Sequence, residues 1–171
     1  MPTSFSPIAL QNASVLILGS MPGKLSLELN QYYAKPGNSF WYIMGEICGA
    51  NLELCYPKRV DKLTAAGIAL WDVLQYCERE GSLDSSIVHG TEAPNDFAAF
   101  LAVHPHIRAI FFNGQKPENS FCKLVQTKLA PALLSEIVLR RLPSTSGAYC
   151  QMSKQEKVQA WRAIEAFLSI G

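Results

Sequence analysis

The chain has no G-x-G-x-x-G stretch and no G-x-x-x-x-G-K-[ST] stretch, so the usual backbone cradles for dinucleotides and triphosphates are missing. It has no G-x-S-x-G elbow either, which weakens a reading as an α/β-hydrolase. Cys48, Cys55, Cys77, Cys122 and Cys150 are odd in number, scattered, and contain no C-x-x-C pair. Neither a disulfide framework nor a zinc or iron–sulfur site is suggested, and reduced, mostly packed thiols are expected. His104-Pro105-His106 puts a proline between two histidines at an expected helix end, where cationic side chains suit the helix dipole better than they suit a metal. No metal and no cofactor are expected. The run Val15 to Leu18 is far too short to span a membrane, and Met1 to Asn12 lacks the basic start and long apolar stretch of a secretory signal, so a cytosolic protein without a membrane partner is expected. A formal charge of +1 excludes a broad basic surface, so any contact with nucleic acid must be local.

Against these absences, 49% of the 171 residues are hydrophobic and no long polar tract interrupts them. A chain of this length buries one substantial core and is short for two, so residues 1–171 are read as a single domain. Ser14 to Leu18 is an apolar run closed by Gly-x-x-Pro-Gly, which reads as a buried strand entering a turn. Phe40 to Cys48 is apolar at helical spacing and stops at Gly49. Pro57 to Ala66 reads as a helix with proline in its first turn, and Ile68 to Val73 as a second strand. Asn95 is read as the cap of a helix through about His104, Ala109 to Phe112 as a third strand, and Asn119 to Leu129 as a helix. Ile137 to Leu142 is the fourth strand, and Ser153-Lys154-Gln155-Glu156 is a capping box opening a helix through Ile170. Ser82 to Pro94 reads as a long surface connection.

Strand and helix alternate about four times. The fold expected is α/β, a three-layer α/β/α sandwich around a mostly parallel four-stranded sheet, whose ligands sit at the carboxyl ends of the strands. That rule selects Gly19 to Gly23, the stretch after Trp71-Asp72, Asn113-Gly114, and Pro143 to Tyr149.

Gly19-Ser20-Met21-Pro22-Gly23, then Tyr33-Ala34-Lys35-Pro36-Gly37-Asn38-Ser39-Phe40-Trp41, Trp71-Asp72-Val73-Leu74, Phe112-Asn113-Gly114 and Leu142-Pro143-Ser144-Thr145-Ser146 follow one another along nearly the whole chain. In that order they resemble the uracil-DNA glycosylase superfamily, and within it the hypoxanthine (deoxyinosine) DNA glycosylases. The resemblance implies a monomeric, monofunctional glycosylase of base excision repair. Such an enzyme flips a deaminated base, preferably hypoxanthine, out of DNA and hydrolyses its N-glycosidic bond. A uracil- or mismatch-specific glycosylase of the same superfamily, and a non-catalytic nucleic-acid or nucleotide-binding module, are the alternatives.

By the same resemblance Asn38 is the catalytic asparagine, with an amide able to orient water or to donate a hydrogen bond. Capping of the following helix is its other role. Sister branches that remove uracil carry aspartate or asparagine where this chain has Met21, and a thioether positions water poorly; the burden falls on Asn38, with Ser20 as a helper unless it only bonds its own turn. Gly19, Pro22 and Gly23 shape the first loop, and the glycines let backbone approach the base or sugar. Tyr33 is the expected stacking surface for the flipped base, while Tyr32, Phe40 and Trp41 are expected in the core. Asn113 offers a donor and an acceptor to the base edge, or else forms a turn with Gly114. Pro143, Ser144, Thr145 and Ser146 match the loop that enters DNA, with Arg140 adding attraction for phosphate. Asp72 is expected either to orient a site residue or to bond nearby backbone. Gly147-Ala148-Tyr149 replaces the Pro-Ala-Asn continuation usual in the family.

Overall fold

The structure, a computed structural model, describes residues 3–168. In chain order the first half contains β1 (Val15–Gly19), α1 (Lys24–Leu29), α2 (Phe40–Cys48), α3 (Tyr56–Ala65), β2 (Ile68–Asp72) and β3 (Leu74–Tyr76). The second contains β4 (Ala93–Pro94), α4 (Phe97–Val103), β5 (Ala109–Asn113), α5 (Gln115–Leu124), α6 (Pro131–Ser135), β6 (Val138–Leu142) and α7 (Lys154–Trp161). The central sheet runs β2-β1-β5-β6 with every pairing parallel, and β3 with β4 forms a small antiparallel pair beside it.

Every residue of β1, β2 and β5 is buried, which is why these strands read as continuous apolar runs instead of alternating ones: both faces of a parallel sheet are covered. The pleat sends Val15, Ile17, Ile68, Leu70, Ala109 and Phe111 to one side, where they pack with Phe40, Trp41, Ile43 and Met44 of α2 and with Val158 and Trp161 of α7. Leu16, Leu18, Ala69, Trp71, Ile110 and Phe112 go to the other side, against Phe97, Phe100 and Leu101 of α4 and Phe121 of α5. The result is the expected α/β/α layering around four parallel strands.

Several boundaries move for identifiable reasons. The cap of α4 is Asp96, whose side chain accepts the Ala99 N–H; Asn95 is instead buried, and its amide donates to the Asp72 carbonyl. Helix α5 begins at Gln115, four residues before the expected start, because Pro117 falls in its first turn, where a missing N–H costs nothing. It also ends early, at Leu124, and a 3-10 turn (Gln126–Lys128) follows. The capping box at Ser153 and Glu156 is present, but α7 tightens into a 3-10 helix over Arg162–Phe167, and Ile170, the expected end, lies outside the described residues.

The two faces of the sheet set a clear stability test. Phe111→Ala is expected to cost about 3–5 kcal/mol in urea unfolding, through lost burial plus the cavity left in the sheet. Val103→Ala, at a position 55% exposed, is expected to stay within about 0.5 kcal/mol of wild type.

Candidate active site

The carboxyl ends of the four strands meet at a cleft of about 150 Å³, a size at which a protein cavity accepts an aromatic ring. Its wall includes Gly19 to Gly23, Tyr33, Asn38, Asp72 and Asn113, with Ser144 to Ser146 along one side. Strand register aligns its floor, since Gly19 lies beside Asp72 and Asn113 beside Leu142.

Gly19 is where side-chain volume is least tolerable. A Cβ built there would stand 2.6 Å from Asp72 Oδ1 and 2.9 Å from the Tyr33 hydroxyl oxygen. Both polar side chains therefore close over the end of β1 because glycine leaves the space. Met21 is 6% exposed and belongs to the core beneath the cleft. Pro22 is also buried, and its carbonyl accepts from Arg79 Nη2 at 2.5 Å.

The segment from Arg79 to Asp84 clamps this first loop. Ser82 Oγ accepts the Lys24 N–H at 2.8 Å, and Ser20 Oγ donates to Asp84 Oδ1 at 2.5 Å. Part of the connection expected to run over the surface is thus a wall of the site. Asp84 is exposed as a residue, yet its carboxyl turns inward to Ser20.

Tyr33 has φ +53°, a left-handed conformation that is costly for a bulky residue and persists where surrounding packing enforces it. Phe40 stacks on its ring, with centroids 4.2 Å apart and planes at 28°, and Tyr33 lines the cleft. Tyr32, Phe40 and Trp41 are core residues, as expected. Asn38 combines its two expected roles. Its Oδ1 accepts the Phe40 N–H at 2.9 Å at the start of α2, and its amide nitrogen has no protein acceptor among the described residues and lines the cleft.

Thr145 is placed differently from the DNA-facing position expected of it. It is fully buried, its N–H donates to Asn113 Oδ1 at 2.8 Å, and its hydroxyl accepts from Asn113 Nδ2 at 2.9 Å. Its carbonyl accepts the Ser39 N–H at 2.8 Å. Asn113 thereby commits both ends of its amide to this loop, keeping one Nδ2 hydrogen and one lone pair for anything else. Ser144 and Ser146 remain partly exposed at the cleft. Pro143 is anchored through its carbonyl, which accepts from Trp161 Nε1 at 2.9 Å. Arg140 stands outside the cleft, exposed on β6 opposite Phe111 in register, with no ion pair among the described residues.

The departure at Gly147 also has a geometric reason. A Cβ there would lie 2.9 Å from the Gly37 carbonyl oxygen, so glycine lets this loop close on the one that carries Asn38. Beneath it Lys157, 3% exposed, donates to the Ser146 carbonyl at 3.3 Å and the Tyr149 carbonyl at 2.7 Å. Among the described residues no carboxylate pairs with this ammonium, and burial lowers its pKa.

Burial raises the Asp72 pKa to about 7; the Asp84 charge adds to the shift and Arg79 opposes it. Asp72 Oδ2 is buried without a hydrogen-bond partner, as are the Tyr33 hydroxyl and Arg79 Nε and Nη1. Burial also raises the Asp84 carboxyl, while the Ser20 hydrogen bond, Arg79 and Lys116 hold it down. The Tyr33 phenol is raised by burial and then by Asp72. Among the described residues, no three His, Cys, Asp or Glu side chains gather closely enough to hold a metal ion, and no helix is long and apolar enough to cross a membrane.

An acid with a raised folded-state pKa keeps its proton in the folded protein where the unfolded chain has already lost it, so stability falls as pH rises through that interval. Stability is expected to decline between about pH 4 and pH 7, and Asp72→Asn to flatten the decline, in urea unfolding repeated across that range. An unaltered slope in the variant would count against a protonated Asp72.

The model of the Uracil DNA glycosylase superfamily matches residues 6–165. A Methanosarcina acetivorans protein named hypoxanthine DNA glycosylase is 37% identical over 165 residues, covering 94% of this chain and 95% of its own. A Methanosarcina barkeri protein of the same name is 39% identical over 113 residues, covering 66% of this chain and 70% of its own. Among solved structures, a solution NMR structure of a Methanosarcina acetivorans protein, described as a candidate uracil DNA glycosylase, superposes with a TM-score of 0.74 at 34% identity. That match covers 95% of this chain and 98% of the other. The family resemblance carried by the strand-end loops is borne out across the sheet that holds them, and the chain belongs to the uracil DNA glycosylase superfamily.

Proposed function

We propose that this protein is a monofunctional DNA glycosylase that takes a deaminated base, hypoxanthine by preference, into the strand-end cleft and hydrolyses its N-glycosidic bond. The observation that carries the reading is the convergence on one cleft of Asn38, whose Oδ1 is held by the Phe40 N–H while its NH2 has no protein acceptor among the described residues, an aromatic ring backed by Phe40 (Tyr33) and the serines of the insertion-type loop. Breaking the C1′–N bond builds positive character on the sugar and negative charge on the departing base. A fixed amide N–H is suited to the developing negative charge, and an aromatic face to the flipped base. The preference for hypoxanthine is supported by two relatives that carry that name, and by Met21, which supplies no polar group where uracil-removing branches place one.

DNA is the partner in this reading. Ser144 and Ser146 at the rim offer hydroxyls to phosphate, and exposed Arg140 offers longer-range attraction. Thr145 supports the same loop from inside. The solved relative's description favours uracil as the second substrate to consider.

Duplexes carrying one inosine, uracil, xanthine or ethenoadenine are expected to yield alkali-labile breaks chiefly at inosine. Breakage chiefly at uracil would overturn the substrate, and binding without cleavage anywhere would overturn the activity. Asn38→Ala is expected to slow single-turnover cleavage of the inosine duplex about a hundredfold or more, and full activity would remove Asn38 from the chemistry. Ser144→Ala is expected to weaken duplex binding, in fluorescence titration, by a larger factor than it slows single-turnover cleavage. Unchanged affinity would remove it from the DNA contact.

A further inference from the structure

Hydrolysis has a requirement that Asn38 does not meet. An amide orients water or donates a hydrogen bond, but it does not accept a proton at neutral pH. The cleft wall holds two carboxylates, Asp72 and Asp84. Asp72 sits at the end of β2, 3% exposed, with Oδ1 facing the end of β1 at Gly19 and Oδ2 closed off from solvent. Asp84 comes from the connection between β3 and β4, on the open side, and reaches the first loop through Ser20. That bond occupies Oδ1, and Oδ2 has no protein donor among the described residues. Position 21 of the same loop is a methionine turned into the core.

We infer that Asp84 is the base that takes the proton from the attacking water, with Ser20 fixing the carboxylate's orientation through Oδ1. The inference rests on the glycosylase reading above. Water oxygen bonds to C1′ as the C1′–N9 bond to hypoxanthine breaks. One water proton passes to Asp84 Oδ2 and later to solvent, and the bonding pair leaves on N9, which takes a proton from solvent. The products are free hypoxanthine and an abasic deoxyribose.

The two carboxyls divide the work because their surroundings differ. The charged groups acting on Asp84 are Asp72 on β2, Arg79 after β3 and Lys116 at the start of α5. Burial raises its carboxyl, and the Ser20 hydroxyl, Arg79 and Lys116 work against that rise in favour of the ionised form. Burial, and then that charge, raise the Asp72 carboxyl to about 7. Burial raises both carboxyls and Arg79 opposes it at both, whereas the Ser20 hydrogen bond and Lys116 act on Asp84 alone.

The test uses the full chain and an inosine-containing duplex under single-turnover conditions. Asp84→Asn keeps an acceptor for Ser20 and is expected to slow cleavage about a hundredfold or more, with little change in affinity for the abasic product duplex. The wild-type rate is expected to fall toward acid pH, and the variant to lose that limb. Asp84→Ala is expected to regain activity when formate is added, since a small carboxylate then occupies the vacated space. An Asp84→Asn rate within threefold of wild type overturns the assignment while leaving the glycosylase reading intact. So does an acid limb that persists in the variant, or an Asp84→Ala protein that formate fails to rescue. Wild-type protein that cleaves no duplex overturns both.

Discussion

Thr145 holds the site together through three hydrogen bonds made by one fully buried residue. Its N–H and hydroxyl close a reciprocal pair with the Asn113 amide at the end of β5, and its carbonyl takes the Ser39 N–H at the entrance to α2. Strand end, insertion-type loop and the segment bearing Asn38 are thereby fixed to one another. Each of these polar groups is removed from water, where an unpaired partner costs more than the bond itself is worth. The geometry around Asn38 therefore depends on a residue that need not touch substrate. Trp161 and Lys157 extend the same scaffold by holding the carbonyls of Pro143, Ser146 and Tyr149.

A second clamp faces the first across the cleft. Arg79, Ser82 and Asp84 tie the first loop down through the Pro22 carbonyl, the Lys24 N–H and the Ser20 hydroxyl. Both clamps rely on close approach where a Cβ is missing, Gly19 under Asp72 and Tyr33, and Gly147 against the Gly37 carbonyl. Strained Tyr33 lies between them, held on one face by Phe40. The cleft is thus preorganised by packing and hydrogen bonds, as electrostatic stabilisation of a departing base requires.

The sheet was legible in the sequence because its strands are buried on both faces, so Val15–Leu18 and Ala109–Phe112 stand out as unbroken apolar runs. The loops at their ends followed from strand polarity. What escaped was anything whose meaning lies in a distant partner. Asp84 sits in a polar stretch that reads as surface, 64 residues from the serine it meets. Arg79 stands between Glu78 and Glu80 in the sequence, yet it donates to the Pro22 carbonyl. Thr145 and Ser144 are adjacent and chemically alike, and no local pattern tells which hydroxyl turns inward. Lys157 reads as a solvated position on an amphipathic helix, although the loop above it supplies carbonyls that allow burial. Helix α1 has six residues, too few to show a period.

The sheet's two borders are finished in different ways. Beside β2, Ile8 and Leu70 exchange backbone hydrogen bonds, so the N-terminal segment shields that border. No strand among the described residues pairs with the outer side of β6, and there Arg140 and Arg141 stand exposed in succession. An uncovered strand is a template on which another chain can add itself, and charged side chains along it discourage that pairing, here Arg140 and Arg141, the latter 3.7 Å from Glu118. The two arginines thus guard the solubility of a parallel sheet left open on one side, and replacing both with apolar residues would turn this border into a seed for self-association.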